Sequence, residues 1–426
     1  MGMELNKLRF LITNGSLARF AGSEVVTLEL ATFLANQGAS VSVYTHYLHD
    51  PMKQCFVDRG IPVVDQPVND LHLGDFDCVW VHHQTLPQNF FPELTETDPS
   101  HRPVFIFHHM SAFERLPLER PFLFDLEEKI ASAILFVSPE ARDAQAHLYA
   151  DRTRFALFPN PCLPEFSQYG YQPASDLRSV LITSNHAPQE ITQARVLLED
   201  QGVHTVVLGE YGDEYKLVTP EFLANFDAVI TIGKTVQYCL TMGVPVYVYD
   251  IHGGPGWLDD ENFDRAATHN FSGRDTPEHK TPLDITAQLI EGFPHARTFQ
   301  DNNRARFVDD YSMDRVLPCV LADLGPRSTK IDERYADCLL TTETLVQNLT
   351  FQIGFFEHMS YHGRAEIHQR DSTIVRLESE LSQSRDESRH VTAALHGVLD
   401  STIFKIVRAV TAPIRALKGI GRNPDN

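Results

Sequence analysis

The chain has 426 residues, 42% hydrophobic and 22% charged, with a formal net charge of −21. That length suits two or three domains, and the acidity excludes a nucleic-acid binder with a broad basic surface, which needs clustered Lys and Arg. Cys55, Cys78, Cys162, Cys239, Cys319 and Cys338 are scattered with no C-x-x-C pair, which excludes a zinc module and reads as reduced thiols, with no metal site expected.

In chain order, the apolar run at Leu8–Ile12 predicts a buried strand ended by Asn14-Gly15-Ser16. A helix then starts near Gly22-Ser23-Glu24, where its free amides and macrodipole favour a bound anion. Val25, Leu28, Leu30, Phe33 and Leu34 supply its inward face, Gly38 marks its stop, and Val41–Thr45 forms a second strand. Gly15 and Gly22 are the candidate ligand-facing glycines of this βαβ unit. They are too far apart for G-x-G-x-x-G, which disfavours NAD or FAD.

Further strands are predicted near 61–64, 76–83, 103–109, 133–138 and 154–161, with helices over 122–131 and from Pro139. The turn-rich segment 166–176 reads as a hinge. A second series follows, with strands at 179–186, 204–209, 226–233 and 244–250 and helices over 190–198, near 220–225 and up to Met242. Alternating strands and helices predict parallel sheets. Two Rossmann-like halves are expected to enclose a cleft at their strand C-termini.

Beyond Leu324 the chain turns helical and charged. Ile367, Ile374, Leu377, Leu381, Val391, Leu395 and Val398 keep a seven-residue repeat with polar Arg370, Ser384 and Ser388 at the other places, so 367–398 is a candidate homo-oligomer segment. In 401–426, Ile403, Val407, Val410, Ile414 and Leu417 form one stripe beside Lys405, Arg408, Arg415 and Lys418. Net +4 on that tail, against −25 for the rest, suits an anionic membrane surface; packing of the tail on its own domain, kinked at Pro413, is the alternative. No run approaches about 18 apolar residues and no leader-like segment opens the chain, so the expectation is a cytoplasmic protein, peripheral on the inner face of the cell membrane.

Three clusters carry chemistry. His82-His83 and His108-His109 end apolar strands where the cleft is expected; His82, His108 and His109 are the catalytic candidates, with a structural histidine the competing reading of each pair. Gly233, Lys234, Thr235 and Gln237 stand at a strand-to-helix junction able to cradle a diphosphate, although the Walker spacing is absent. After the next strand, Gly253 and Gly254 permit close backbone approach to a ligand, with Asp250 and His252 beside them and Arg274 further on.

The opening strand, the glycine-containing loop, "AGSE" and "VVTLELATFLANQGASVSVYTH" resemble the start of GT-B fold glycosyltransferases, close to glycosyltransferase family four of bacterial envelope polysaccharide synthesis. "PVFIFHHMS" resembles that family's strand whose histidine contacts the transferred sugar, and the Gly-Gly pair matches a loop contacting donor sugar or diphosphate. One departure stands out: Tyr238 lies where the second glutamate of the family's E-x7-E motif belongs.

The resemblance implies an α/β GT-B fold with an acceptor domain over 1–165, a nucleotide-sugar domain over 177–324, a helical extension over 325–400 and the basic tail over 401–426. It implies transfer of a sugar from a nucleotide-diphosphate donor, a co-substrate with no tightly bound cofactor, to a hydroxyl of an envelope glycan or lipid-linked acceptor. Alternatives on the same fold are a nucleotide-sugar epimerase and a non-catalytic scaffold, the latter favoured by the missing glutamate.

Overall fold

The computed structural model describes residues 4–65, 71–113, 119–172, 174–322, 324, 325, 327, 329–401, 403 and 405–409. The chain divides into two compact units, 1–356 and 357–426.

The first half of unit one runs β1 (Arg9–Leu17), α1 (Gly22–Asn36), β2 (Ser40–Leu48), α2 (Met52–Asp58), β3 (Val63–Val64), β4 (Cys78–His82), α3 (Phe90–Glu96), β5 (Val104–His109), α4 (Phe124–Ile130), β6 (Ala131–Phe136), α5 (Pro139–Gln145) and β7 (Phe155–Leu157). Its sheet is parallel in the order β3-β2-β1-β4-β5-β6-β7. β1 does not end at Asn14-Gly15, as the turn chemistry suggested. Ser16 and Leu17 continue it because β2 runs alongside and pairs with them through Tyr47 and Leu48.

After α6 (Pro164–Gln168), which overlaps the start of the turn-rich segment 166–176, the second half runs β8 (Ser179–Thr183), α7 (Gln189–Asp200), β9 (His204–Leu208), α8 (Pro220–Leu223), β10 (Ala228–Thr231), α9 (Lys234–Met242), β11 (Val246–Asp250), β12 (Gly253–Trp257), α10 (Phe263–Thr268), α11 (Pro282–Tyr311) and α12 (Met313–Leu321). Its sheet order is β12-β11-β10-β8-β9. β12, not anticipated from sequence, turns back antiparallel on β11. Strand order reverses beside β1 in one sheet and beside β8 in the other, and crevices open at such switch points.

Alternating side chains fill both faces of the first sheet. Phe10, Ile12, Trp80, Ile106 and Leu135 share one buried cluster with Leu181, Val229, Val236 and Tyr238 of the second half. Because that cluster wraps α1, the helix is buried on nearly every side, Glu29 included. Leu28, Leu30, Phe33 and Leu34 each stabilise it by about 1.5–3 kcal/mol, while Val25 stays half-buried.

The opposite face, with Leu11, Val81, Phe107 and Phe136, is completed by Ile331, just before the long helix α13 (Glu333–Asp400), and by Ala336 and Leu339 of its first turns. The helical extension is therefore part of the first half's core up to about Gly354. His46 Nε2 lies 2.9 Å from Glu343 Oε1 with both side chains fully buried, and Glu343 also accepts from the Leu86 amide at 3.2 Å. Gly354 is required at its place, since a Cβ there would lie 2.4 Å from the Tyr47 ring.

In the second unit, Ile374, Leu377, Leu381, Val391 and Leu395 of α13 are exposed. Of the predicted basic stripe, Ile403 and Val407 are exposed, and Val410, Pro413, Ile414, Arg415, Leu417 and Lys418 lie outside the described residues. Among the described residues no helix is long and apolar enough to cross a membrane.

Candidate active site

A cavity of about 390 Å³ opens between the two halves. The first half contributes Phe20, Ala21, Gly22 and Val25 at the start of α1. From the second half come the C-terminal ends of four strands: Thr183 and Ser184 at the end of β8, Leu208 and Gly209 at that of β9, Thr231 to Thr235 from β10 into α9, and Asp250 closing β11. These are the crevice positions that the switch points dictate.

Gly233 adopts φ 59° and ψ −132°, a conformation closed to residues with a Cβ at modest cost. It turns the chain so that α9 begins inside the cavity, and no side chain caps that start. The first amides of an uncapped helix, with the positive dipole end, form an anion seat. Thr235 adds a hydroxyl at the same place.

One wall is apolar. Phe20 and Tyr215 face each other with ring centroids 5.0 Å apart, and the Tyr215 hydroxyl accepts from the Phe20 amide at 3.0 Å. Leu217, Val218 and Ile232 also line the cavity, and apolar lining of this kind suits a flat heterocycle. Among the other lining residues, Ser184 Oγ donates to the Asp250 carboxylate at 3.1 and 3.2 Å. Burial raises the Asp250 pKa above the usual carboxylate range.

The sequence expectations divide at this cavity. Gly22, Gly233, Lys234 and Thr235 line it; Gly15, Gln237, Gly253 and Gly254 do not. A Cβ at Gly15 would meet Thr85 and Thr350, so α13 stands over that part of β1. Gln237 is fully buried, its side-chain amide against Asn270.

Gly253 and Gly254 are required by close approach of their own chain. A Cβ on Gly253 would fall 2.9 Å from Thr276 O, and one on Gly254 only 2.2 Å from Val248 O. Gly254→Ala is accordingly expected to cost about 3 kcal/mol through overpacking and to lower the melting temperature while the surviving folded protein keeps its ligand affinity. Thermal melts read beside a binding titration check this.

Lys234 holds a different post from the one anticipated. Its Nζ donates to the Asn160 and Pro161 carbonyls at 2.9 Å each and lies 2.6 Å from Glu29 Oε2. Two of the three ammonium donors are thereby committed to carbonyls, and Glu29 supplies the counter-charge. Tyr238, at the missing-glutamate position, donates its hydroxyl to the other oxygen of Glu29 and stacks on Phe166. The lysine thus ties α1, the connecting segment at 160–161 and α9 together beside the cavity. Arg274 likewise bridges the halves, pairing with Glu140 and lying over the Phe113 ring at 4.8 Å.

The three histidines also separate. His82 is structural: Nε2 accepts from the Trp80 indole at 3.0 Å, so the proton sits on Nδ1 and is donated to Thr27 Oγ1 at 2.9 Å. Burial lowers its pKa and keeps it neutral. His108 is packed among Trp80, His82 and Phe158, with its pKa lowered to about 3 by burial.

His109 is built differently. Its Nε2 lies 2.6 Å from Glu127 Oε1, a fully buried carboxylate. The other Glu127 oxygen accepts from Tyr149 at 2.7 Å and from Gln84 at 2.5 Å. The ring stacks on Phe136 and lines a small cleft with His83, Gln84, His108, Glu119 and Arg120. A carboxylate at one imidazole nitrogen fixes the ring and its tautomer and leaves Nδ1 outside that pair.

Sequence reasoning missed Phe20, Ser184, Tyr215 and Glu29. The strand-end rule that flagged the histidines also covers Ser184. Glu29 had no signal, because a glutamate within a helix is ordinarily solvated.

No protein-family model matches the chain, and no curated protein matches it. Among solved structures it is similar to HepE of Anabaena in complex with UDP and glucose (14% identity, 74% of this chain and 100% of that chain, TM-score 0.50). The complex of HepE with UDP-glucose gives 14% identity, 74% and 98% coverage and a TM-score of 0.50. A glycosyltransferase from Rickettsia africae gives 11% identity, 74% and 100% coverage and a TM-score of 0.47. The fold is the GT-B arrangement, two Rossmann-like halves with helices at the C-terminal side.

Proposed function

We propose that this chain is a glycosyltransferase that moves a sugar from a nucleotide diphosphate to a hydroxyl of an envelope glycan or lipid-linked acceptor. The observation that carries this reading is the uncapped start of α9 inside the inter-half cavity, whose lining also includes aromatic and aliphatic side chains and the Asp250 carboxylate. Amides of α9 and the Thr235 hydroxyl hold the diphosphate. Phe20, Tyr215 and Leu217 flank the base, and Asp250 with Ser184 accepts hydroxyl protons of the donor. HepE has been seen with UDP and UDP-glucose, which makes UDP-glucose the first donor to try.

In the transfer, the acceptor oxygen forms a bond to the anomeric carbon while that carbon's bond to the diphosphate oxygen breaks. The diphosphate leaves with the bonding pair, stabilised by the helix amides, and the acceptor proton passes to a base. His109, oriented by Glu127, is the base this reading selects. Positioning by the two halves supplies much of the remaining rate.

Nucleoside diphosphate released from a panel of nucleotide sugars, with and without glycan acceptors, tests the proposal. The expected result is release from one donor, accelerated by acceptor. An epimerase would interconvert the sugar with the diphosphate still attached, and a scaffold would leave every donor unchanged.

A further inference from the structure

From Leu349 onward helix α13 carries a seam of exposed apolar residues at heptad spacing. Glu343, Gln347, Thr350 and Gly354 turn towards the first half. Leu349, Ile353 and Phe356 are 51%, 43% and 67% exposed, and in the second unit Ile374, Leu377, Leu381, Val391 and Leu395 are all more than half exposed. All eight fall in one heptad frame, with 353, 374, 381 and 395 at a and 349, 356, 377 and 391 at d. Glu343, Gln347, Thr350 and Gly354 occupy its b and e places, whereas Leu339, two heptads before Ile353 at an earlier a place, is buried in the first half's core, so the a and d places become exposed only from Leu349 onward.

We infer that this seam is the docking surface for α13 of a second copy of the chain, parallel and in register. Ile353 and Ile374 at a, with Leu349 and Leu377 at d, is the combination that favours two parallel strands. In that arrangement Glu380 at g meets Arg385 at e of the second copy, twice by symmetry. Sixteen half-exposed apolar side chains in the pair remove on the order of 1,000 Å² of surface, the lower end of what a specific interface buries. A bilayer fits less well, because residues 349–398 carry seven acids against five arginines and repel anionic head groups.

The test is the mass of the full chain by sedimentation at tens of micromolar. The wild type sediments as a dimer, whereas Ile374→Asp with Leu377→Asp, changing only exposed side chains, sediments as a monomer with an unchanged melting temperature and at least about hundredfold weaker association. With Cys319 and Cys338 replaced by Ser, Leu377→Cys cross-links two copies, as register pairing of that position requires. Glu380→Arg weakens the dimer, and adding Arg385→Glu restores it.

A monomeric wild type, or a dimer indifferent to the seam substitutions, overturns the inference. So does a monomeric wild type that floats with anionic vesicles until the seam is changed, which would give the surface to lipid.

Discussion

Lys234→Met will loosen the two halves of the molecule. The substitution leaves Glu29, 6% exposed, as a buried carboxylate without its cation, and strips the Asn160 and Pro161 carbonyls of their donor. Breaking a buried pair from one side costs about 3–5 kcal/mol. For a body of this size that lowers the melting temperature by on the order of 5 °C. Adding Glu29→Gln removes the orphaned charge while keeping an acceptor for Tyr238, and should recover most of the loss. Differential scanning calorimetry of the two variants measures both effects. A fall in nucleotide affinity at unchanged stability would instead make Lys234 a phosphate ligand.

The second large effect belongs to Glu127. Glu127→Gln keeps the shape of the side chain but takes the negative charge from His109, which loses its fixed orientation. The expected result is a fall of roughly 10²–10³-fold in kcat, within the range set by general-base contributions, with the donor KM unchanged. That split separates a positioning residue from a merely structural one. His109→Asn should give a similar loss, and the double variant little more, because residues acting as a unit are not additive. Steady-state kinetics on the donor found by the release assay checks all three variants. Equal loss of donor binding in Glu127→Gln would point to collapse of the strand end.

Much of the fold was legible because its signals are local. The β-branched runs marked the strands of both sheets. Two of the departures have long-range causes. β1 runs past Gly15 because β2 lies beside it, and β12 exists because Gly253 to Trp257 folds back on β11.

The site was legible as an address and less so as a list of residues. The strand-to-helix junction at Gly233 is in the cavity, as the anion-seat argument requires. Lys234 stands there too, but Glu29 of the first half claims its charge, and no pattern in either segment announces that encounter. Gly-Gly after β11 signals close approach of something; only the fold reveals that Val248 and Thr276 of the same chain are what approaches. His82 and His109 look alike at strand ends, yet one meets an indole and a threonine and the other a buried glutamate. The fate of a polar residue depends on partners that are remote in sequence.

Calorimetric titration of the full chain with UDP, GDP and dTDP, repeated on Thr235→Val, tests the donor site most directly. Thr235→Val preserves side-chain shape and deletes one hydroxyl from the cavity wall. The account predicts that one nucleotide binds in the micromolar range and that the variant loses roughly tenfold or more, the worth of a hydrogen bond to a charged group, at unchanged melting temperature. Absence of binding up to millimolar nucleotide, or equal affinity in the two proteins, would contradict it.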